Sequence, residues 1–293
     1  MSLSLRQKLR SRLAENRLIV APGVYDAFGA RFVEQGGFEA AYLTGNGVSA
    51  CLLGQADVGL VDLTLLASHA HRVAAAIGIP LICDADTGYG NAVNVKRTVE
   101  EFEAAGVAAI HLEDQISPKR CGHLPGARPV VSREEHRKKI EAAVAARRDL
   151  DFIIIARTDA ASGLGLDEAI RRGRDYRAAG ADVIFVELKQ ASEDELARVT
   201  AEIDAPHVIN VDEAGKVAHL KTADLQRLGF RLAIYPGLAR YAAGYAIREA
   251  LKALQTDGST LAARHRMLSF KEYNDALQLP QIEDWERRFL PPA

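Results

Sequence analysis

The chain has 293 residues, of which 48% are hydrophobic, and a formal net charge of −2 at pH 7. This length suits one α/β barrel with a large core. No basic stripe favours nucleic acid, and no apolar run approaches the length of a membrane span. Residues 1–12 contain no apolar signal core, and Cys51, Cys83 and Cys121 show neither disulfide nor metal spacing. We therefore expect a cytoplasmic protein with free thiols that binds neither nucleic acid nor membranes.

Short apolar runs alternate with longer amphipathic segments along the chain. Runs of Val, Ile and Leu without polar alternation are typical of parallel strands covered on both faces. Eight such runs predict an α/β fold, a (β/α)8 TIM-type barrel, with a doubly wound open sheet as the alternative. The runs are Leu18–Ala21, Ala40–Thr44, Pro80–Cys83, Ala108–Leu112, Phe152–Ala156, Asp182–Leu188, His207–Val211 and Arg231–Tyr235.

Capping signals mark the helices between these runs. Asn91 is a candidate N-cap for a helix over Val93–Ala105. Ser132 and Glu135 form a capping-box pattern at the start of a second helix, Ser132–Ala146. The alternation of strand and helix signals continues without a low-complexity linker, so we expect one barrel domain.

The C-terminal part of the chain is helical without strands after Gly244. We expect a single (β/α)8 domain over residues 1–293, with 245–293 as a C-terminal helical extension. The extension either packs on its own barrel or reaches a neighbouring subunit, and the pattern leaves both open.

Acidic residues crowd the ends of two neighbouring strands. The third strand ends in Asp84-Ala85-Asp86, and the fourth ends near Glu113. Active sites of this fold lie at the C-terminal strand ends, and residues two apart on a strand point the same way. Three converging carboxylates favour a hard divalent cation, Mg²⁺ or Mn²⁺. The alternative is that these acids cap helices or pair with the nearby basic residues Lys96, Arg97 and Arg120.

The loop after the fourth strand contains a cysteine among basic residues, Lys119-Arg120-Cys121-Gly122-His123. Nearby cations make a thiol a usable acid or base near neutral pH. Glycines in this loop suggest that it closes over a bound anion. The alternative is a solvated basic loop, whereas Cys51 and Cys83 lie in apolar surroundings and are expected in or near the core.

A basic residue, Arg157, follows the fifth apolar run. A buried guanidinium needs an anionic partner, and its forked geometry suits a substrate carboxylate. Asp159 and Glu187 are the structural alternatives.

Three motifs in combination resemble the isocitrate lyase and phosphoenolpyruvate mutase superfamily: Asp84-Ala85-Asp86-Thr87-Gly88-Tyr89-Gly90-Asn91, Leu112-Glu113-Asp114-Gln115 and Lys119-Arg120-Cys121-Gly122-His123. The resemblance runs from about Ala21 to Gly237. Within the superfamily, the chain most resembles 2-methylisocitrate lyases and 2,3-dimethylmalate lyases.

The resemblance implies roles for the matched positions. Asp84 matches a direct metal ligand, and Cys121 matches the catalytic cysteine of the lyase branch. The family's gating loop corresponds to Ser117–Val130, and the family forms homotetramers that exchange their last helices. Asp57, Asp86 and Glu113 match residues around metal-bound waters. Tyr42, Thr44, Gly45 and Asn46 match the substrate-carboxylate loop. Substrate-binding positions also correspond to Lys119, Arg120, Gly122, His123, Arg157, Glu187, Asn210 and Pro236.

One position departs from the methylisocitrate lyase pattern. Those enzymes commonly carry Arg after the histidine of the cysteine loop, where this chain has Leu124. A tricarboxylate needs an additional cation, so Leu124 favours a dicarboxylate of the alkylmalate type. Arg128 and Arg120 are the residues that would compensate.

The combined features predict a Mg²⁺-dependent carbon–carbon lyase that acts on a small 2-hydroxy acid by retro-aldol (Claisen-type) cleavage. Cys121 is the expected proton donor, Arg157 the expected charge stabiliser, and Tyr42 or a metal-bound water the expected base. A second hypothesis is an oxaloacetate decarboxylase or hydrolase, or a phosphonopyruvate mutase or hydrolase, on the same metal site. A third is a non-catalytic barrel that binds an anion.

Overall fold

Eight parallel strands close into a barrel in chain order, β1 to β8. The computed structural model describes residues 3–122, 124, 126–213 and 215–291. All eight predicted strands are confirmed, and the doubly wound alternative is wrong. The strands are β1 Ile19–Val24, β2 Ala41–Leu43, β3 Leu81–Asp84, β4 Ala109–Glu113, β5 Ile153–Thr158, β6 Val183–Val186, β7 His207–Asn210 and β8 Leu232–Tyr235.

Helices connect the strands and continue beyond the last one. Short 3-10 helices lie at Lys216–His219 and Leu261–Arg266. The α-helices are α1 Leu5–Ala14, α2 Ala27–Gln35, α3 Gly45–Leu53, α4 Leu63–Ala76, α5 Ala92–Ala104, α6 Arg133–Ala146, α7 Ala161–Leu164, α8 Leu166–Ala178, α9 Glu193–Glu202, α10 Thr222–Arg227, α11 Leu238–Asp257, α12 Phe270–Ala276 and α13 Leu279–Phe289.

The predicted caps start the two helices that flank the cysteine loop. Asn91 caps α5 in a capping box with Asn94. Ser132 caps α6 by accepting a hydrogen bond from the backbone N–H of Glu135 at 3.1 Å. These caps satisfy backbone donors that have no partner within the helix, so each helix begins where its cap stands.

Alternating residues of each strand point into the barrel and towards the helices. In β5, Ile153 and Ile155 belong to the inner cluster, whereas Ile154 and Ala156 pack with the surrounding helices. The inward row continues to Arg157, which carries the same parity. The apolar interior therefore changes to polar side chains at the C-terminal ends of the strands.

Helix α1 covers the N-terminal end of the barrel. Leu9 and Leu13 join the inner apolar cluster. Arg6 donates to the carbonyl of Val107 at 3.0 Å, and Arg10 pairs with Asp182 at 3.1 Å, immediately before two strands begin. The opposite, C-terminal end is the one left for the connecting loops that form a site.

The chain divides into two compact units, Met1–Leu238 and Ala239–Ala293. The first contains the barrel, and the second consists of helices. No described helix combines the length and the apolar composition needed to cross a bilayer. The predicted single domain with an extension over 245–293 stays a prediction.

Candidate active site

Asp84 and Asp86 meet through a turn at the end of β3. The strand ends at Asp84, and Asp86 has a φ of 47°, a left-handed conformation that is uncommon outside glycine. The backbone N–H of Asp86 donates to Asp84 Oδ1 at 3.0 Å. The expectation that both lie on one strand face is wrong, because the strand stops before the second acid. Strained backbone of this kind concentrates at functional positions.

Lys119 stands between two of the predicted metal-site acids. Its Nζ lies 2.8 Å from both Asp57 Oδ2 and Asp86 Oδ1, and all three side chains are buried. Burial alone would lower the pKa of Lys119, but the surrounding carboxylates raise it well above its usual value. Burial raises the pKa of Asp86 to about 7, because Lys119 does not outweigh desolvation and the neighbouring Asp84 and Asp57.

A histidine that was not predicted to have a role in the site lies at the centre of the cluster. His111 Nε2 is 2.8 Å from the Tyr42 hydroxyl and 3.7 Å from Asp84 Oδ1. Burial lowers the pKa of His111 to about 4, so its ring is neutral at physiological pH. Burial and Asp84 raise the pKa of Tyr42 well above its usual value. His111 lies two residues before Glu113 on β4, so both side chains point into the barrel, and this spacing could have identified His111 from the sequence.

Arg157 is held by three carboxylates. Its Nε and Nη2 donate to Asp159 at 2.9 and 3.0 Å, and Nη2 lies 3.2 Å from Glu187 Oε2. Its Nε is also 3.4 Å from Glu113 Oε2, and its guanidinium lies 4.9 Å above the Phe185 ring. The structural partners considered for Arg157 are thus both present. A substrate carboxylate would meet a guanidinium that is already oriented.

Another buried acid, Asp114, holds the end of β5 in place. Asp114 is fully buried and accepts hydrogen bonds from Thr158 Oγ1 at 2.7 Å and the backbone N–H of Asp159 at 2.9 Å. Its Oδ2 also accepts from Arg172 Nη1 at 2.9 Å and the Tyr176 hydroxyl at 3.0 Å. Asp114 therefore fixes the end of β5, on which Arg157 and Asp159 stand.

Cys121 is tied to the acid cluster through its backbone. Its N–H donates to the carbonyl of Asp57 at 2.9 Å, and its Sγ accepts from Asn46 Nδ2 at 3.0 Å. Asn46 belongs to α3, which follows β2. The structure thus brings together the cysteine, the β2 loop and the predicted metal site.

The cysteine loop is closed at its base and supported from within. Ile116 N–H donates to Pro129 O at 2.9 Å, next to an antiparallel bridge between Gln115 and Val130. Buried Arg128 donates to the carbonyls of Gly122 at 2.7 Å and Gly126 at 2.6 Å, and also to that of Leu124. Arg128 thus serves the loop's own backbone.

The other predicted site residues are only partly brought to the cluster. An ideal Cβ on Gly45 would stand 2.7 Å from Asp84 Oδ2, so glycine is required beside that acid. Arg120 is exposed and is not brought into the cluster. His123 lies outside the described residues. Among the others, Thr44 caps α3, Asn210 Nδ2 donates to Glu187 Oε2 at 3.2 Å, and Pro236 is buried after β8.

Two further findings concern residues that sequence reasoning misjudged or missed. The expectation of a core position for Cys51 is wrong, because it lies exposed near the end of α3; Cys83 is buried as expected. Lys189 was not predicted as a site residue. The structure places its Nζ 3.3 Å from the position that an ideal Cβ on Gly122 would occupy. The proximity joins two loops distant in sequence, and no local pattern signals it.

The donor set fits a hard divalent cation. Asp84 faces the space kept open by Gly45, and Glu113 Oε1 is buried without a hydrogen-bond partner among the described residues. Lys119 and Arg157 are too few to neutralise the surrounding acids. No three His, Cys, Asp or Glu side chains among the described residues are grouped as a ready metal site. Asp84 would be the direct ligand of such an ion, since Mg²⁺ in proteins is usually held by one or two carboxylates and keeps several waters. The buried acids near Lys119 and Arg157 are Asp57, Asp84, Asp86, Glu113, Asp159 and Glu187.

Sequence comparison identifies relatives that cover nearly the whole chain. A family model described as phosphoenolpyruvate phosphomutase matches residues 9–255. The 2,3-dimethylmalate lyase of Eubacterium barkeri is 45% identical over 282 residues, covering 96% of this chain and 97% of the relative. The 2-methylisocitrate lyase of Shewanella oneidensis is 38% identical, covering 94% and 97%.

Solved structures share the same fold. Oxaloacetate acetylhydrolase in complex with 3,3-difluorooxalacetate matches with a TM-score of 0.92 and 38% identity, covering 99% of this chain and 98% of that chain. Phosphonopyruvate hydrolase in complex with oxalate and Mg²⁺ matches with a TM-score of 0.89 and 34% identity, covering 99% and 100%. These relatives confirm the resemblance drawn from the strand-end motifs. The chain belongs to the phosphoenolpyruvate mutase/isocitrate lyase superfamily, which includes enzymes named as lyases.

Proposed function

We propose that the protein is a Mg²⁺-dependent carbon–carbon lyase that cleaves a 2-hydroxy dicarboxylate of the 2,3-dimethylmalate type. The observation that carries this proposal is the position of Cys121, bonded through its backbone to Asp57 and through its thiol to Asn46. A thiol at the edge of a carboxylate cluster is placed to protonate a carbanion formed there. The 45% identical relative named 2,3-dimethylmalate lyase supports this choice of substrate.

The carboxylate cluster would hold the cation. Asp84 would hold Mg²⁺ or Mn²⁺ directly, with Asp57, Asp86 and Glu113 around it. When bound, the ion supplies a Lewis acid for the substrate's hydroxyl and the adjacent carboxylate.

Tyr42 and His111 provide a route for the hydroxyl proton. The pKa of Tyr42 is raised by burial, so its hydroxyl stays protonated and acts as a relay. It would accept the substrate's proton while donating its own to the neutral ring of His111, whose Nε2 is 2.8 Å away. The Asp84 carboxylate, 3.7 Å from Nε2, favours the protonated ring and offsets part of the effect of burial. This assigns the base function to the Tyr42–His111 pair.

Cleavage then separates the substrate into a 2-oxo acid and a carbanion. The bond between carbons 2 and 3 breaks, and its electron pair remains on carbon 3, beside a carboxylate. Arg157, oriented by Asp159 and Glu187, stabilises the negative charge. Cys121 donates its thiol proton to carbon 3, so 2,3-dimethylmalate would yield pyruvate and propionate.

Oxaloacetate cleavage is the second candidate. It is favoured by the TM-score of 0.92 to oxaloacetate acetylhydrolase. Oxaloacetate cleavage would use the same end of the barrel. The same is true of a phosphonopyruvate mutase or hydrolase reaction, and of anion binding without catalysis. The apolar side chain of Leu124 in the cysteine loop favours an alkyl-substituted dicarboxylate over a tricarboxylate such as 2-methylisocitrate.

A substrate panel tests the proposal. The protein is assayed with 2,3-dimethylmalate, 2-methylisocitrate, other alkylmalates, oxaloacetate and phosphonopyruvate, following product release with Mg²⁺ and after chelation. We expect pyruvate from an alkylmalate, loss of activity with chelator and its return with added Mg²⁺. If the protein turned over only oxaloacetate or only phosphonopyruvate, the alkylmalate lyase proposal would be wrong and the corresponding alternative would be supported. Binding without turnover of any compound would support a non-catalytic barrel.

A further inference from the structure

Lys189 places an ammonium group beside the cysteine loop. It follows the end of β6 by three residues, and its carbonyl accepts from the backbone N–H of Lys216 at 3.1 Å. An ideal Cβ on Gly122 would stand 3.2 Å from Lys189 Cε and 3.2 Å from Arg157 Nη2. Two basic side chains thus approach one point next to Cys121.

The two cations differ in how they are neutralised. Arg157 contacts three carboxylates. Within the described part of the chain, no Asp or Glu oxygen lies within 4.0 Å of Lys189 Nζ. Lys189 is half-buried, and burial lowers its pKa despite the more distant charge of Glu187. A partly desolvated cation without a paired acid is stabilised by an incoming anion.

Lys189 lines a cavity of about 470 Å³ at this position. The other charged groups of its lining have partners: Asp159 and Glu187 contact Arg157, Glu195 caps α9, and Arg128 holds the cysteine loop. Lys189 is therefore the basic group with spare binding capacity among the described residues of this lining.

Apolar groups stand next to that cation in the same cavity. Leu124, Leu166 and Leu188 contribute to its lining. A carboxylate attached to an alkyl-substituted carbon matches this combination of one ammonium group and several aliphatic side chains.

We propose that Lys189 binds the substrate carboxylate attached to the carbon that Cys121 protonates. This inference rests on the proposed lyase function and adds a specificity residue to it. Arg157 and Lys189 would then flank this carboxylate, whose negative charge increases when carbon 3 becomes a carbanion.

Three variants test the assignment by steady-state kinetics with the best alkylmalate. Lys189→Met is expected to lower kcat/KM by about 10- to 100-fold, the equivalent of one charge-assisted hydrogen bond. Lys189→Arg should recover part of the loss, since it restores the charge. Lys216→Met, which removes an exposed lysine whose backbone holds Lys189, should behave as wild type. Equal kinetics of Lys189→Met and wild type would overturn the assignment.

Direct binding separates this inference from the proposed chemistry. Calorimetry with Mg²⁺ compares 2,3-dimethylmalate with oxalate, which lacks the third carbon and the carboxylate attached to it. Lys189→Met should weaken 2,3-dimethylmalate binding and leave oxalate binding unchanged. This holds even if the wild-type protein binds 2,3-dimethylmalate without cleaving it, an outcome that refutes only the lyase proposal. An equal loss of both ligands, or of neither, refutes the role of Lys189.

Discussion

Cys121 owes its position to contacts with the backbone of the predicted metal site. Its N–H is bonded to Asp57 O, while the Asp57 carboxylate pairs with Lys119. The same short segment therefore sets both the thiol and the acid cluster. A change in the thiol alone leaves this framework intact.

Cys121→Ser is expected to lower kcat by about 10²- to 10⁴-fold, because a hydroxyl is a far weaker acid than a thiol and general acid catalysis contributes a factor of this size. The matched control is Cys51→Ser, which changes an exposed cysteine near the end of α3. Release of 2-oxo acid is measured for both variants beside the wild type. Near-normal turnover by Cys121→Ser would contradict its role as proton donor.

The individual residues of the site were predictable where a strand end exposed them. Asp84, Glu113 and Arg157 follow apolar runs directly, so sequence pattern alone placed them at the barrel mouth. Lys189 could not be placed in this way, because its meeting with Gly122 depends on how two separate loops fold over the barrel. The proximity of Asp86 to Asp84 was predicted for the wrong reason, since a left-handed turn, and not strand parity, brings the two residues together.

At the level of elements, the strand signals were reliable because parallel strands bury both faces. Most strands agree with the apolar runs to within one or two residues. β5 continues to Thr158 and includes Arg157, which the apolar run excluded. Arg157 and Thr158 are polar because Arg157 faces the site and Thr158 contacts Asp114. A search for apolar runs therefore cannot find the end of this strand.

Helix α6 buries a histidine that links stability to pH. His136 is fully buried, its ring lies 4.6 Å from that of Tyr176, and Lys139 and Arg172 are the charged groups that affect it. Burial lowers the pKa of His136 from 6.5 to about 3. The unfolded chain therefore binds a proton between these values that the folded chain does not, so stability falls as pH decreases from 6.5 towards 3.

His136→Leu should remove this contribution, which amounts to about 2 kcal/mol at pH 5. Urea unfolding at pH 7.5, 6 and 5 should show a smaller loss of stability on acidification in the variant than in the wild type. Other buried histidines contribute to both proteins, so the difference isolates His136. His219→Leu, at an exposed position, is the control. Parallel pH profiles for His136→Leu and the wild type would refute the argument.

At the level of the whole molecule, the C-terminal unit carries a row of exposed apolar side chains. Ile282, Trp285 and Phe289 lie on one face of α13 and are 52%, 62% and 59% exposed in the single chain. Exposed apolar patches of this kind mark interaction surfaces. We propose that they are covered in a homotetramer that exchanges these helices, as the family resemblance implies.

Trp285→Glu should shift the protein towards smaller species, because it places a charge in the centre of this face. Arg287→Gln makes the same change in net charge on the opposite side of α13 and serves as the control. Sedimentation velocity over a range of concentrations measures the assembly of both. A wild-type protein that sediments as a monomer, or an unchanged distribution for Trp285→Glu, would refute the proposed assembly.

Asp114 is buried away from the mouth of the barrel, where it contacts Arg172 and Tyr176 of α8. Asp114 follows β4 and fixes the end of β5, which carries Arg157 and Asp159. Leu124 and Lys189, by contrast, lie on loops at the C-terminal end of the barrel. Substitutions in those loops leave the buried anchor and its four hydrogen bonds intact. Selection can thus change which acid is accepted at little cost in folding stability, and relatives named for different reactions share this fold.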